Sequence, residues 1–275
     1  MYCNRECGLM TSLPCDGNAL AAFKASNLPP ENQRWRAAVV LDDPDARLAE
    51  LEGFSELDQA EAGDNPNEAI ARQAAHTRSV ELRAACTPDD ELAPYFERST
   101  VLLASRSAEP PDLPVTVAPN LLLGDADAAA DVAALAERGV THVLNASDEA
   151  PERSTSDAYA RAGIVCRQLG AVDDILYDMR VHLSDSAAFV EDAISKGGTC
   201  LVHCVAGINR SGFIVGGLCM LRGQRPVLEV LAELKRVRGT VLLNQAFQLQ
   251  LLNVARDHGL LGDLRSPNRA DRAER

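Results

Sequence analysis

Cys204 and Arg210 stand six positions apart in the stretch 199–220, TCLVHCVAGINRSGFIVGGLCM, a nucleophile and a cation spaced to share one phosphoryl group. The residues between them, Val205, Ala206, Gly207, Ile208 and Asn209, carry no acidic side chain that would repel an anion. A loop of this length can wrap an oxyanion with its backbone N–H groups, because Gly207 can take positive φ and a helix opens directly behind the loop. The helix N-terminus, the amide donors and the Arg210 guanidinium all favour a thiolate over a thiol at Cys204. Arg210 can bind two phosphoryl oxygens with its planar fork, which a lysine cannot do. The chemistry implied is attack of a thiolate on phosphorus.

Spacing alone is weak support. In a chain with 8 Cys and 24 Arg among 275 residues, random placement gives roughly 0.7 matches to C-x5-R, the false-positive risk of any short motif. A second match, Cys219 to Arg225, serves as an internal control. No strand precedes it, its cysteine sits in the apolar run FIVGGLCML, and Pro226 follows its arginine. Cys219 reads as a buried helical residue, since free cysteine packs as a small hydrophobe. Around Cys204 the order is instead an apolar strand at 200–202, then His203, Gly207, Arg210, Ser211 and a helix.

HCVAGINRSG resembles the HC-x2-G-x2-R-[ST] signature of the cysteine-dependent protein phosphatases, and its surroundings resemble their dual-specificity branch. The resemblance covers about residues 113–260. It implies that His203 orders the loop, that Ser211 helps the thiolate leave, and that a carboxylic acid protonates the leaving oxygen. In that branch the acid stands five residues before a polar helix-starting residue followed by an aliphatic one. Asp173 stands five before Asp178-Met179, with Asp174 as the adjacent candidate and Asp178 as the helix N-cap. The branch usually closes with PN-x-GF; here Leu243-Asn244-Gln245-Ala246-Phe247 keeps the Asn and the Phe. The Trp-Pro-Asp acid loop of the tyrosine-specific branch is absent, which favours the shallower dual-specificity pocket. The chemistry requires no metal and no cofactor.

The elements that must position these residues are legible from about residue 115. A strand at 121–123, a turn at Gly124, a helix ending at Gly139 and a strand at 141–145, with His142 as a structural residue, begin the pattern. A strand at 163–169, an acid-bearing loop and a helix over about 178–195 lead into the nucleophile strand. Pro226 and Asn244 start two further helices, the last closed by Gly259. Alternating strands and helices predict an α/β fold with a mostly parallel sheet flanked by helices, and ligands beyond the carboxyl ends of the strands.

The first 110 residues read differently, as a mainly helical or partly disordered region of unknown role. They hold 10 Lys and Arg against 19 Asp and Glu, a balance of −9 out of the chain's −13. Helical starts are visible at 29–30 and 43–44, a helical segment spans 67–85, and Thr87 with Pro88 and Asp90 reads as the cap of another helix. Trp35 reads as a packing anchor, His76 as solvated, and 107–114 as a linker. The expected organisation is therefore 1–110 as an acidic N-terminal region, 111–262 as the catalytic domain and 263–275 as a polar tail.

The acidic balance argues against nucleic acid or a polybasic membrane surface as the main partner. No apolar run approaches the roughly 18 residues of a membrane span, and the first ten residues lack a signal peptide's basic start. Scattered cysteines in such a chain suggest a reducing compartment, cytoplasmic or nuclear. Cys3, Cys7 and Cys15 lack a fourth ligand for zinc, and Cys166 and Cys200 read as buried in strands. The leading expectation is a phosphatase on phosphotyrosine and phosphoserine/threonine in phosphoprotein substrates. The alternatives are an enzyme on RNA 5′-triphosphate, since Asn209-Arg210-Ser211-Gly212 resembles the NR-[ST]-G of RNA 5′-triphosphatases, or on phosphoinositide or glucan, on which some members of the resembled family act, and a non-catalytic phosphoprotein-binding module.

Overall fold

The computed structural model describes residues 77–104 and 111–264. The readings at Cys3, Cys7, Cys15, Trp35, His76, the helical starts at 29–30 and 43–44, and most of the tail lie outside the described residues. Two compact units divide the described chain, one running on from Pro88 and the other ending at Thr87. In the latter, residues 77–86 are helical, and the Thr87 hydroxyl donates back to the Arg83 carbonyl. That corrects the reading of Thr87 as the cap of the next helix. Asp89 caps the turn beyond it by accepting from the Leu92 amide at 2.9 Å, and helix α1 begins only at Ala93 (Ala93–Leu103).

α1 packs on the unit that runs on from Pro88. Leu92 and Leu103 are in its main core, and the buried Ser99 hydroxyl donates to Gln248 Oε1. Fully burying a leucine contributes roughly 1.5–3 kcal/mol, so the boundary drawn at 111 leaves out a helix that helps to hold the domain together.

Five strands form one sheet: β1 (Val115–Ala118), β2 (Leu121–Gly124), β3 (Val140–Ser147), β4 (Val165–Ala171) and β5 (Thr199–His203), in the order β1-β2-β5-β3-β4. β1 pairs antiparallel with β2, and every other pair is parallel. β1 is absent from the sequence reading. Asn120, at φ 60°, makes the tight turn between β1 and β2, a backbone state that Asn tolerates better than most residues.

Side chains alternate across the sheet as strand geometry requires. Leu122, Val143 and Leu201 face one layer, where they meet Ala129 of α2 (Ala126–Ala130), Leu135 of α3 (Val132–Glu137) and Tyr159 of α4 (Arg153–Ala162). The single helix expected before Gly139 is in fact α2 and α3, because Asp131 leaves the helical conformation and its carboxylate caps the Ala134 amide. Leu121, Leu123, Leu144, Cys200 and Val202 face the larger layer. That layer holds α1, α5 (Leu183–Ser195), α6 (Arg210–Gly223), α7 (Val227–Arg238) and α8 (Gln245–Asp257).

Asp178 caps the 3₁₀ turn Met179–His182 that leads into α5, and Asn244 caps α8, both as expected. Among the described residues no helix is long and apolar enough to cross a membrane. β5 lies at the centre of the sheet, so Cys204 emerges beyond its carboxyl end, the position where open α/β sheets bind ligands.

Candidate active site

The residues after β5 make a closed turn whose carbonyls all point away from its centre. Cys204 O accepts from His203 Nδ1 at 3.2 Å, and Val205 O from the Ala126 amide at 3.0 Å. Arg238, at the end of α7, donates from Nη2 to Ala206 O and from Nε to Gly207 O, each at 3.0 Å. Ile208 O accepts from the Leu242 amide at 3.0 Å, and Asn209 O from Phe213 at 2.8 Å. Among the described residues none of the amides from Val205 to Arg210 donates to a protein acceptor. Backbone donors so left, at a helix N-terminus, form an anion-binding nest.

Gly207 sits at φ 65°, and a Cβ there would lie 2.6 Å from the Gly124 carbonyl oxygen, so the turn needs glycine twice over. Cys204 is 2% exposed, with its Sγ 3.2 Å from Ser211 Oγ. His203 is buried and neutral in character: burial pushes its pKa down, and donating to a carbonyl requires the proton on Nδ1.

Arg210 is 7% exposed and anchored through one nitrogen only. Its Nη1 donates to Asp148 Oδ1 at 2.9 Å and to Ala171 O at 3.2 Å. Nε is buried without a hydrogen-bond partner among the described residues, 4.0 Å from Asp173 Oδ2. The anchored Nη1 thus leaves the Nε and Nη2 edge for two oxygens of a ligand, the bidentate geometry that guanidinium favours.

The two adjacent aspartates diverge. Asp173 receives Asn209 Nδ2 on one oxygen at 3.1 Å and Asn244 Nδ2 on the other at 3.2 Å. Asn209 Oδ1 accepts from the Asn244 backbone amide at 3.0 Å, which closes a ring of three residues beside Arg210. Asp174 instead spends its carboxylate on the Leu176 amide, 2.8 Å away within its own turn. The far end of the acid loop is held by Gln250 of α8, whose amide bonds Tyr177 O and the Met179 amide, both at 2.8 Å. Tyr177 also meets His182 Nε2 at 2.7 Å.

The structure therefore brings together Cys204, the turn Val205–Asn209, Arg210, Ser211, His203 and Asp173. Sequence reasoning missed Arg238, Asp148 and Gln250, and it saw Asn244 as a helix start and as the Asn of the closing element, not as a partner of the acid. Nothing in one-dimensional spacing marks Arg238, which reads as an ordinary basic residue in the last turn of a helix. Cys219 lies inside α6, its thiol pushed up to about 12 by burial, and Cys200 is pushed to about 12 by the same cause. Cys166 corrects the sequence reading: it is exposed, because β4 is an edge strand of the sheet. His142 is structural, edge-on to Phe189 with Nε2 3.3 Å from Asp192. Among the described residues no group of three or more His, Cys, Asp or Glu is placed to hold a metal ion.

This arrangement can bind a tetrahedral oxyanion against a sulfur nucleophile with a carboxyl group at hand. Residues 121–257 match the family profile described as "Dual specificity phosphatase, catalytic domain". The chain is 39% identical over 139 residues to "Dual specificity protein phosphatase 26" of Rattus norvegicus, a match covering 50% of this chain and 65% of that protein. It is 32% identical over 145 residues to "Dual specificity phosphatase 28" of Homo sapiens, covering 53% of this chain and 78% of the relative. The crystal structure of human DUSP28 superposes with a TM-score of 0.48 at 29% identity, over 55% of this chain and 98% of that one.

Proposed function

The chain belongs to the dual-specificity phosphatases, and on that premise we propose that it hydrolyses phosphotyrosine and phosphoserine/threonine in proteins through a cysteinyl-phosphate intermediate. The observation that carries this reading is the turn after β5, with its six outward carbonyls, the Cys204 sulfur at its base and the free edge of Arg210 beside it. A phosphoryl group seated in the turn takes the amides and the Nε and Nη2 donors on its equatorial oxygens.

The Cys204 thiolate attacks phosphorus in line. The S–P bond forms as the P–O bond to the substrate breaks, and Asp173 gives its proton to the departing oxygen. Water then attacks phosphorus and passes a proton to the Asp173 carboxylate. The S–P bond breaks, and the Ser211 hydroxyl, 3.2 Å from Sγ, donates to the returning thiolate as phosphate leaves. Asp148 and the Ala171 carbonyl keep Arg210 in place through both steps, and His203 and Arg238 keep the amides turned inward. We place this activity in the cytoplasm or nucleus, where the thiols stay reduced.

Purified chain is to be assayed against phosphotyrosine, phosphoserine and phosphothreonine peptides, an RNA 5′-triphosphate and phosphoinositides. Turnover is expected on the phosphopeptides, and a higher kcat/KM on the RNA or the lipid would replace this reading with the corresponding one.

A further inference from the structure

The segments that leave the carboxyl ends of the parallel strands differ in one respect from the turn they surround. After β2 comes Asp125; after β3, the segment 148–152 holds Asp148, Glu149 and Glu152; after β4, 172–178 holds Asp173, Asp174 and Asp178. None of these segments, nor the turn 204–209, contains a Lys, Arg or His. Asp148 is matched by Arg210 and Asp178 by a paired contact from Arg180. Glu149, Glu152 and Asp174 form no ion pair with a basic side chain among the described residues, while Asp125 lies in the field of the buried Arg238 and His203. The negative field reaches inward too: the Tyr177 hydroxyl is pushed up chiefly by burial and further by Asp148 and Asp178.

Inside this acidic rim lies the opposite charge. Arg210 is 7% exposed with its buried Nε lacking a hydrogen-bond partner, and no acceptor among the described residues takes the amides around it. One phosphoryl group satisfies that centre. The segments around it offer a second anion carboxylates and no cation of their own. Val205 and Leu176, each 37% exposed, add apolar steps at the edge of the turn and on the acid loop. Long cationic side chains suit this surface, since their stems can cover apolar ground while their heads reach carboxylates.

Building on the phosphatase reading, we propose that the site selects phosphorylated protein segments whose neighbouring residues are basic, and rejects segments with acidic or phosphorylated neighbours. The rim acts on encounter and orientation, as complementary charge does at protein interfaces, and its effect fades as salt shortens the screening length.

The test uses the full chain and two phosphotyrosine peptides that differ only in flanking residues, Arg and Lys in one and Glu in the other. An aryl phosphate, which has no flanks, serves as reference. At low ionic strength the basic peptide is expected to have a kcat/KM about tenfold or more above the acidic one, within the range of electrostatic steering, and the gap is expected to narrow with added salt. Glu149→Lys and Glu152→Lys, both at exposed positions, should each narrow the gap and leave aryl phosphate turnover unchanged. Equal rates on the two peptides, or a preference for the acidic one, with the aryl phosphate still turned over, overturns the inference and leaves the phosphatase reading standing. A gap that neither variant changes overturns the role of the rim. A chain that turns over none of the three substrates overturns the phosphatase reading and this inference with it.

Discussion

The loop that holds Cys204 and the loop that holds Asp173 meet at Arg210, and they are fixed by opposite means. In the first, every carbonyl from Cys204 to Asn209 has a donor, so the backbone itself is locked and the amides are aimed before any ligand arrives. In the second, side chains from two separate parts of the chain do the holding: Asn209 from the turn, and Asn244 and Gln250 from the cap and body of α8. Preorganised backbone donors supply the charge stabilisation common to every phosphate ester. A side-chain clamp sets only where one carboxyl group stands. The difference predicts that damage to the first loop affects all substrates alike, whereas damage to the second depends on the leaving group.

The largest separation is expected for Asp173→Asn, which should lower turnover of a substrate with a poor leaving group by roughly 10²–10⁴-fold, the usual worth of a general acid. Substrates with acidic phenol leaving groups should suffer much less. Asp174→Asn should cost little, because that carboxylate caps its own turn. Steady-state rates across a leaving-group series check this, and a larger loss in Asp174→Asn would transfer the role to it.

Gly207→Ala attacks the first loop. The added methyl meets the Gly124 carbonyl at 2.6 Å in a backbone state that alanine disfavours. Strain of about 1–3 kcal/mol should weaken phosphate binding about tenfold or more, with equal losses on good and poor leaving groups. A leaving-group-dependent loss here would erase the distinction between the loops.

Truncation tests the support behind the acid loop. α8 carries Gln250 on one side, while its Gln248 accepts from Ser99 and Thr100 of α1 on another. A fragment of 111–275 should lose thermal stability relative to one of 88–275, with turnover of poor leaving groups falling before oxyanion binding does. Thermal melts and vanadate titrations of the two fragments decide it. Equal melting temperatures would return the boundary to 111.

The smallest expected effect is on pH dependence. His203 beneath the first loop and His182 beside the second both have pKa values lowered chiefly by burial. The native state therefore holds fewer protons than the unfolded chain just below the free histidine value of about 6.5. Stability should be full above that pH and fall as pH drops from there through the lowered folded values. Asp178, where burial raises the pKa but the hydrogen bonds and charge of Arg180 together outweigh it and leave it lowered, adds its loss further down, below about pH 4. Denaturant midpoints measured at about pH 7.5 and 5.5 check the first part, and a rising midpoint on acidification would contradict it.

How much of this was legible depends on how local each contact is. The nucleophile turn lies within one short segment, so strand, Cys204, Gly207, Arg210 and helix could be read in order, and the rejection of Cys219 rested on its apolar setting. Most strands and helices followed from periodicity, with edges off by a residue or two. β1 escaped because the four residues before Pro119 are too few to carry a periodic signal. The split between α2 and α3 turns on one Asp that caps rather than continues a helix. Arg238, Asp148 and Gln250 escaped for a different reason. Each acts on a residue 31 or more positions away, through geometry that only the folded sheet and its helices create.

The central claim is that Cys204 carries the phosphoryl group between the two half-reactions. The most direct measurement is acid quench of the wild-type chain and of Cys219→Ser during turnover of an aryl phosphate, followed by peptide mass analysis. The account predicts a gain of about 80 Da, one phosphoryl group in place of a proton, on the peptide bearing Cys204 in both proteins, and its absence in Cys204→Ser. Phosphate found on another residue, or steady turnover by Cys204→Ser, would contradict it.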